Sequence, residues 1–568
     1  MKLKTILMGA AAVLAASQAF AASGRGADGQ LNLIYWQAPS ILNPYLSSGT
    51  KDLEASSITI EPLARFNPKG EMVPEIAAEI PTLKNGGISK DLKTITWHLK
   101  PGLKWSDGSA VTSADVVFTG QYCMDPQGGC AQLSHFQGVD KIEAVDPLTV
   151  KISFKAPQPD PYGPFVSYES PILQKKQFAN CMGAKAPTCT SANFGPIGTG
   201  PFVVTSFKPN DVIEYKANPN YRDPNKPAFA TVNFKGGGDA AAAARAVFQT
   251  GEYDYGWNLQ LSPDVLKGMT GPGAKGHVVT AFGSLVERLE MNLTDASPSL
   301  PEGQRSTAAH PNPILSDKRV REALSMAIDR SLIVQVGYGS AGKPTCNLVP
   351  APEAYASDNT ACLKQDIPGA KKLLDEAGWK VGPDGIREKD GKKLVLTYQT
   401  STNGVRQDTQ SLIKQWWKEI GVDAQLKNVN GSVFFGGDPG SPDTFQKFYT
   451  DVEEYANNFS GTDPQTYMSM YTCDKAPRPA TQWQGENINR YCNKHYDELV
   501  AELGKTAVPA KREALVKEMN DMLTKDSYTI IPIVWRGNNS GVANSIGGEA
   551  INPWDSELWN IQDWYRKK

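Results

Sequence analysis

The sequence predicts an α/β protein, rich in loops and built from more than one domain. Three observations carry that expectation. Segments with the period-2 alternation of half-buried strands recur, as where Ile95, Trp97 and Leu99 alternate with Thr96, His98 and Lys100, and in LTVKISF at 148–154. Capped helix signatures stand between them, such as Thr112 and Asp115 ahead of the apolar run Val116, Val117, Phe118. Finally, 568 residues with 40 prolines, 51 glycines and 40% hydrophobic residues suit several cores joined by many turns rather than disorder.

The N-terminus reads as an export signal. Lys2 and Lys4 precede an apolar run from Ile6 to Ala16 that is too short to span a bilayer, and Ala19-Phe20-Ala21 offers a cleavage site. Residues 1–22 are therefore expected to be a removed signal peptide. No cysteine follows that site until Cys123, so a lipid anchor is not expected and the mature protein should be free in a periplasm. No later segment is apolar enough to insert in a membrane, and the formal net charge of −2 makes nucleic acid a poor partner. The eight cysteines fall as sequence neighbours: Cys123 and Cys130, Cys181 and Cys189, Cys346 and Cys362, Cys473 and Cys492. Eight cysteines allow about 105 pairings, and the four local pairs are the expectation because oxidising export favours loop-pinning disulfides. A zinc site is the rival, but the chain has no CxxC and its five histidines are scattered.

Along the chain, LNLIYW from Leu31 reads as a buried strand, followed by a loop over 37–50. Asp107-Gly108 is a tight turn after the alternating segment at 95–100, and the proline-rich stretch 156–164 is a connection. VVTSFKPNDVIEYKA at 203–217 gives two strands joined at Pro209-Asn210-Asp211. Gly236-Gly237-Gly238-Asp239 lacks the Gly-Lys-Ser/Thr of a phosphate loop, so Asp239 is read as the cap of an alanine-rich helix. Between 317 and 339 lies the clearest helix, with Val320, Leu324, Ala327 and Ile328 on one face. Helices at 370–377 and 407–420 end at Gly378 and Gly421 and flank an extended segment at 394–399. Ile530 to Val534 reads as a core strand returning to the first domain.

No catalytic motif emerges. The chain has no G-x-S-x-G and no H-E-x-x-H, and the adjacent Glu453-Glu454 reads as a solvated face. No catalytic residue, metal site or cofactor is assigned, and a secreted hydrolase stays only as a distant alternative.

Several segments resemble one family in matching order. Gly102, Trp105, Ser106-Asp107-Gly108 and Ala114-Asp115-Val116 resemble the hallmark of the extracytoplasmic solute-binding proteins of family 5, the peptide, nickel and related receptors of ABC importers. Gly198-Thr199-Gly200-Pro201-Phe202, Asn218-Pro219-Asn220-Tyr221, RVREALSMAIDR at 319–330, and Tyr491-Cys492-Asn493 with Asp497 resemble its later motifs. The resemblance covers the chain from about residue 31 onward. It implies a two-lobed periplasmic-binding-protein fold of type II with an extra subdomain on lobe I, as in dipeptide and oligopeptide receptors. Lobe I would comprise 23–62, 196–284 and 528–568, its accessory subdomain 63–195, and lobe II 285–527, with hinge crossings near 285 and 525. It further implies a monomeric receptor that closes over a small ligand and delivers it to membrane permease subunits. Peptides are the first expectation for the ligand, with an opine or sugar conjugate, a metal chelate or haem as alternatives.

The resemblance also implies which segments face the cleft. They are Tyr35, Trp36, Gln37 and Ser40 after the first strand; Tyr255, Trp257 and Asn258; Arg406, facing a ligand carboxylate or a salt bridge; and the loop with Tyr455, Asn457, Asn458, Phe459, Ser460 and Asp463. Asp463-Pro464 resembles the Asp/Glu-Pro of the family's cleft loop. In peptide-binding members an aspartate four residues before that proline pairs with the ligand's ammonium, and here Ser460 stands at that position. A neutral serine cannot balance a buried ammonium. Either Asp463 or Glu454 takes over, or the ligand has no free amine there.

Overall fold

The strand Gln30–Tyr35 lies at the middle of a seven-stranded sheet and shows how distant segments are gathered. It pairs in parallel with Thr231–Gly236 on one side and Tyr255–Trp257 on the other. Antiparallel strands complete the sheet: Val212–Ala217 and Phe202–Lys208 beyond the first neighbour, and Asn538–Ala543 and Gly276–Ala281 beyond the second. The computed structural model describes residues 24–568, so the expected signal peptide lies outside the described residues.

A second sheet has six strands in the order Gly342–Pro344, Ile530–Arg536, Val286–Met291, Val452–Asn457, Val395–Ser401 and Asp423–Val429. The last three pair in parallel and the others antiparallel. Helices cover this sheet, among them Ile367–Glu376 and Gly404–Glu419, capped by Asp366 and Asn403. Their apolar faces pack with the buried strand residues into one core. A third, antiparallel sheet of Thr94–His98, Thr149–Phe154 and Val139–Asp146 packs against the helix Ser113–Met124. Thr112 and Asp115 form the expected capping box, and Trp97 and Trp105 are buried in the core of this unit. Asp239 caps Ala240–Arg245 as expected. No helix among the described residues is long and apolar enough to cross a membrane.

All four neighbouring cysteine pairs are disulfides: Cys123–Cys130, Cys181–Cys189, Cys346–Cys362 and Cys473–Cys492.

Three readings are corrected. The apolar run at 530–534 does not return to the first sheet; the strand Ile530–Arg536 pairs with Val286–Met291 in the second, and the chain crosses back only at Gly537. A strand buried on both faces is apolar throughout, so its pattern does not say which sheet it joins. The helix expected between 317 and 339 is two, Lys318–Met326 and Arg330–Gly337, because the Asp329 side chain accepts from the Leu332 amide and starts a new helix. Glu453 and Glu454 are not solvated: both are fully buried on Val452–Asn457, held by Gln399 and Tyr398.

Candidate functional site

The seven- and six-stranded sheets are joined where Gly276–Ala281 gives way to Val286–Met291, and again where Ile530–Arg536 gives way to Asn538–Ala543. Between the bodies built on them lies a cavity of about 370 Å³. Such clefts between domains are where small ligands are commonly held. Hydrogen bonds bridge its rim. Ser432 Oγ accepts from the Ala38 amide at 2.7 Å, and the Trp554 carbonyl accepts from the Gly461 amide at 2.7 Å. Gly461 has a φ of +72°, and a Cβ there would stand 2.5 Å from the Phe66 ring. Only glycine lets the 457–463 loop lie so close to the opposite body.

Of the expected cleft residues, Gln37, Trp257, Asn258, Arg406, Tyr455, Asn457, Asn458, Phe459, Ser460 and Asp463 line this cavity. Four do not. Tyr35 is buried within the first sheet's core, stacked on Trp257 at 4.8 Å with its ring 7° from parallel. The two are cross-strand partners, so they share a face, and Trp257 covers Tyr35 from the cavity. Trp36 points to the other face, packs with the alanine-rich helix and donates its Nε1–H to the Asn258 carbonyl at 2.8 Å. The Ser40 amide donates to Asp52 at 2.7 Å. The Tyr255 hydroxyl donates to Glu557 from within the core.

Arg406 reaches the wall but is committed to the protein. Its Nε donates to Glu287 at 2.6 Å and its Nη1 to Ser401 at 2.9 Å, while Arg536 bonds the other oxygen of Glu287 at 3.2 Å. Burial opposes the ionisation of Glu287, but the two guanidiniums outweigh it and hold the carboxyl below its ordinary value. Asp463 is likewise occupied, accepting from Arg512 Nη2 at 2.6 and 2.7 Å. Glu454 is fully buried against Tyr398, and burial with the nearby Glu287 pushes its pKa well up. Of the two carboxylates considered as substitutes at Ser460, Asp463 is taken by Arg512 and Glu454 does not line the cavity. Ser460 Oγ itself is buried without a hydrogen-bond partner, and Asn457 and Asn458 flank it in the same wall.

Sequence reasoning missed most of the other wall. Glu54, Asp555 and Glu557 line it from the first-sheet body, with Tyr168, Glu169 and His135 from the third-sheet unit and Phe435, Phe445 and Glu486 from the second-sheet body. Glu54 and Glu557 are adjacent: the Glu557 amide donates to Glu54 at 3.0 Å, and the Ser556 hydroxyl bonds its other oxygen at 2.6 Å. Burial, reinforced by Glu557, pushes Glu54 up to about 8; burial pushes Asp555 up to about 6. Residue 54 and residues 555–557 lie at opposite ends of the chain, so no local motif announces the pair. Among the described residues no three histidine, cysteine or carboxylate side chains are grouped to hold a metal.

Comparison with known proteins agrees with this architecture. The family model for bacterial extracellular solute-binding proteins, family 5 (middle region), matches residues 71–477. The glutathione-binding protein GsiB of Escherichia coli (strain K12) is 24% identical over 555 residues, covering 96% of each chain. The oligopeptide-binding protein AppA from Bacillus subtilis, solved with a nonapeptide, superposes with a TM-score of 0.80 at 22% identity, covering 96% of this chain and all of its own. NikZ from Campylobacter jejuni, solved with Ni(L-His), gives 0.77 at 22% identity, covering 94% and 99%. The two structures share the fold. The chain belongs to family 5 of the bacterial extracellular solute-binding proteins.

Proposed function

We propose that this solute-binding protein is the periplasmic receptor of an ABC importer, and that it captures a peptide in the cavity between its two bodies and presents the closed form to membrane permease subunits. The observation that carries the reading is the cavity itself, enclosed between two bodies joined by two adjacent chain crossings and lined from both sides. Rotation about Phe282–Leu285 and Gly537 opens and closes such a cleft without disturbing either sheet. Residues 63–195 act as an accessory unit of the first lobe, and the second lobe runs from about 285 to 536. The protein carries out no reaction of its own and works as a monomer.

Peptide is favoured because the cavity combines aromatic faces with dispersed polar groups, which suits a backbone with varied side chains. The curated relative GsiB binds glutathione and AppA was solved with a nonapeptide, and both cover nearly the whole chain. Native mass spectrometry of protein purified without refolding tests the reading. Co-purifying peptide masses are expected; a single non-peptide mass, such as an opine or a metal chelate, replaces peptide as the cargo.

A further inference from the structure

The cavity wall holds an imbalance of charge. Its basic groups are already engaged: Arg406 and Arg536 with Glu287, and His135 with Glu169 at 3.2 Å. Its acidic groups largely are not. Among the described residues, Glu54, Glu486, Asp555 and Glu557 form no ion pair, although Glu54 and Glu557 are 2% and 3% exposed. Two of their oxygens are also without a hydrogen bond. Both bonds to Glu557, from Tyr255 and Ser540, fall on Oε2, so Oε1 is unpartnered. Glu486, 9% exposed, accepts from Ser134 through Oε1 while its buried Oε2 has no partner.

Buried carboxyls without a cationic partner carry a large desolvation cost when ionised. An empty closed cavity relieves it by keeping protons on them, which accords with the upward displacement of Glu54 and Asp555. A bound cation relieves it differently, by taking the place of those protons. We propose that Glu54, Asp555 and Glu557 form a subsite for a positively charged group of the ligand, an ammonium or a guanidinium. The proposal rests on the receptor reading above and gives that site a charge preference. Glu557 Oε1 is the open acceptor, and Asp555 stands beside Glu54. Charge-assisted hydrogen bonds in such a closed site are strong, which sets a cationic ligand apart from a neutral one of equal size.

Calorimetry on the ligand-stripped full chain tests this with Ala-Arg-Ala and Ala-Gln-Ala at pH 7, in two buffers of different ionisation enthalpy. Ala-Arg-Ala is expected to bind at least about tenfold tighter, and its binding to release protons. The Glu54→Gln/Glu557→Gln variant should lose the preference and the proton release, and Asp555→Asn should weaken both. Equal affinity for the two peptides overturns the subsite, as does full preference in all the variants. A misfolded variant leaves the wild-type comparison decisive. If neither peptide binds, agmatine and spermidine judge the subsite, while the co-purifying masses still judge the peptide reading: binding of either amine with proton release upholds the subsite, and failure of both overturns it.

Discussion

Replacing Glu287 by glutamine should destabilise the second-sheet body more than any other single polar change in the cavity region. Glu287 sits on Val286–Met291 beside the first crossing and holds Arg406 from a helix and Arg536 from the second crossing strand. All three side chains are at most 3% exposed. Removing one partner of a buried ion pair costs about 3–5 kcal/mol, because the remaining charge is left unpaired. Here two arginines lose their counterion, and the glutamine amide turns an N–H₂ group toward one of them, so the upper figure of about 5 kcal/mol applies. In a body of roughly 250 residues each kcal/mol shifts the melting temperature by about 2–4 °C, giving about 10–20 °C. Differential scanning calorimetry of the ligand-free protein reads this directly. Glu287→Met with Arg406→Met should recover part of the loss, since an apolar pair leaves fewer buried charges. A Glu287→Gln variant melting within about 2 °C of wild type refutes the reasoning. It would mean that Arg406 does not depend on Glu287 and is available for a ligand carboxylate.

Three further outcomes follow from the same structure. Cys473→Ser/Cys492→Ser opens a loop spanning a separation of 19 residues, so its denaturant midpoint should fall by the equivalent of about 3 kcal/mol; an unchanged midpoint contradicts this. Asp555, Glu549 and Glu54 are held up at about 6, about 7 and about 8, above the roughly 4 of an unfolded carboxyl, so the folded chain keeps protons that the unfolded chain has lost. Stability from these groups is therefore present at acid pH and lost as pH rises through 6–8; ligand-free protein should melt higher at pH 5.5 than at pH 8.5, and the reverse order contradicts the assignment. Trp257→Ala removes a side chain 5% exposed and stacked on Tyr35, at a cost of about 3–5 kcal/mol, and should weaken ligand binding measured by calorimetry; unchanged affinity in a folded variant removes Trp257 from the site.

What was legible in the sequence was local. The capping box at Thr112 and Asp115, the helix-ending Gly378 and Gly421 and the cap at Asp239 are set within a few residues, and the structure has each of them. The disulfides join sequence neighbours, so their pairing was legible too. The apolar run from Leu31 told that Tyr35 sits on a strand, but not that Trp257 on another covers it, because that depends on the register between strands more than 200 residues apart. Glu453 and Glu454 looked like surface because adjacent charges usually are. Only the strands on either side of Val452–Asn457 bury them. Glu54 meets Glu557 because the chain, after two crossings, returns its last residues to the first body, a closure that no window of sequence contains.

That closure alters the meaning of the neutral Ser460. Judged from the loop alone, the missing anion meant either that Asp463 or Glu454 takes over or that the ligand has no free amine there. In the folded protein the acidic groups stand elsewhere, as Glu54, Asp555 and Glu557 of the first-sheet body, while the 457–460 segment presents amides and a hydroxyl. On the subsite proposed above, a cation would sit on the first body, with Asn457, Asn458 and Ser460 of the second facing the same cavity. The unpartnered Ser460 Oγ suits that division: it offers a donor and an acceptor to whichever ligand atom arrives, at far smaller desolvation cost than a carboxylate. The serine thus takes a fixed charge out of the closing loop without taking charge recognition out of the cavity.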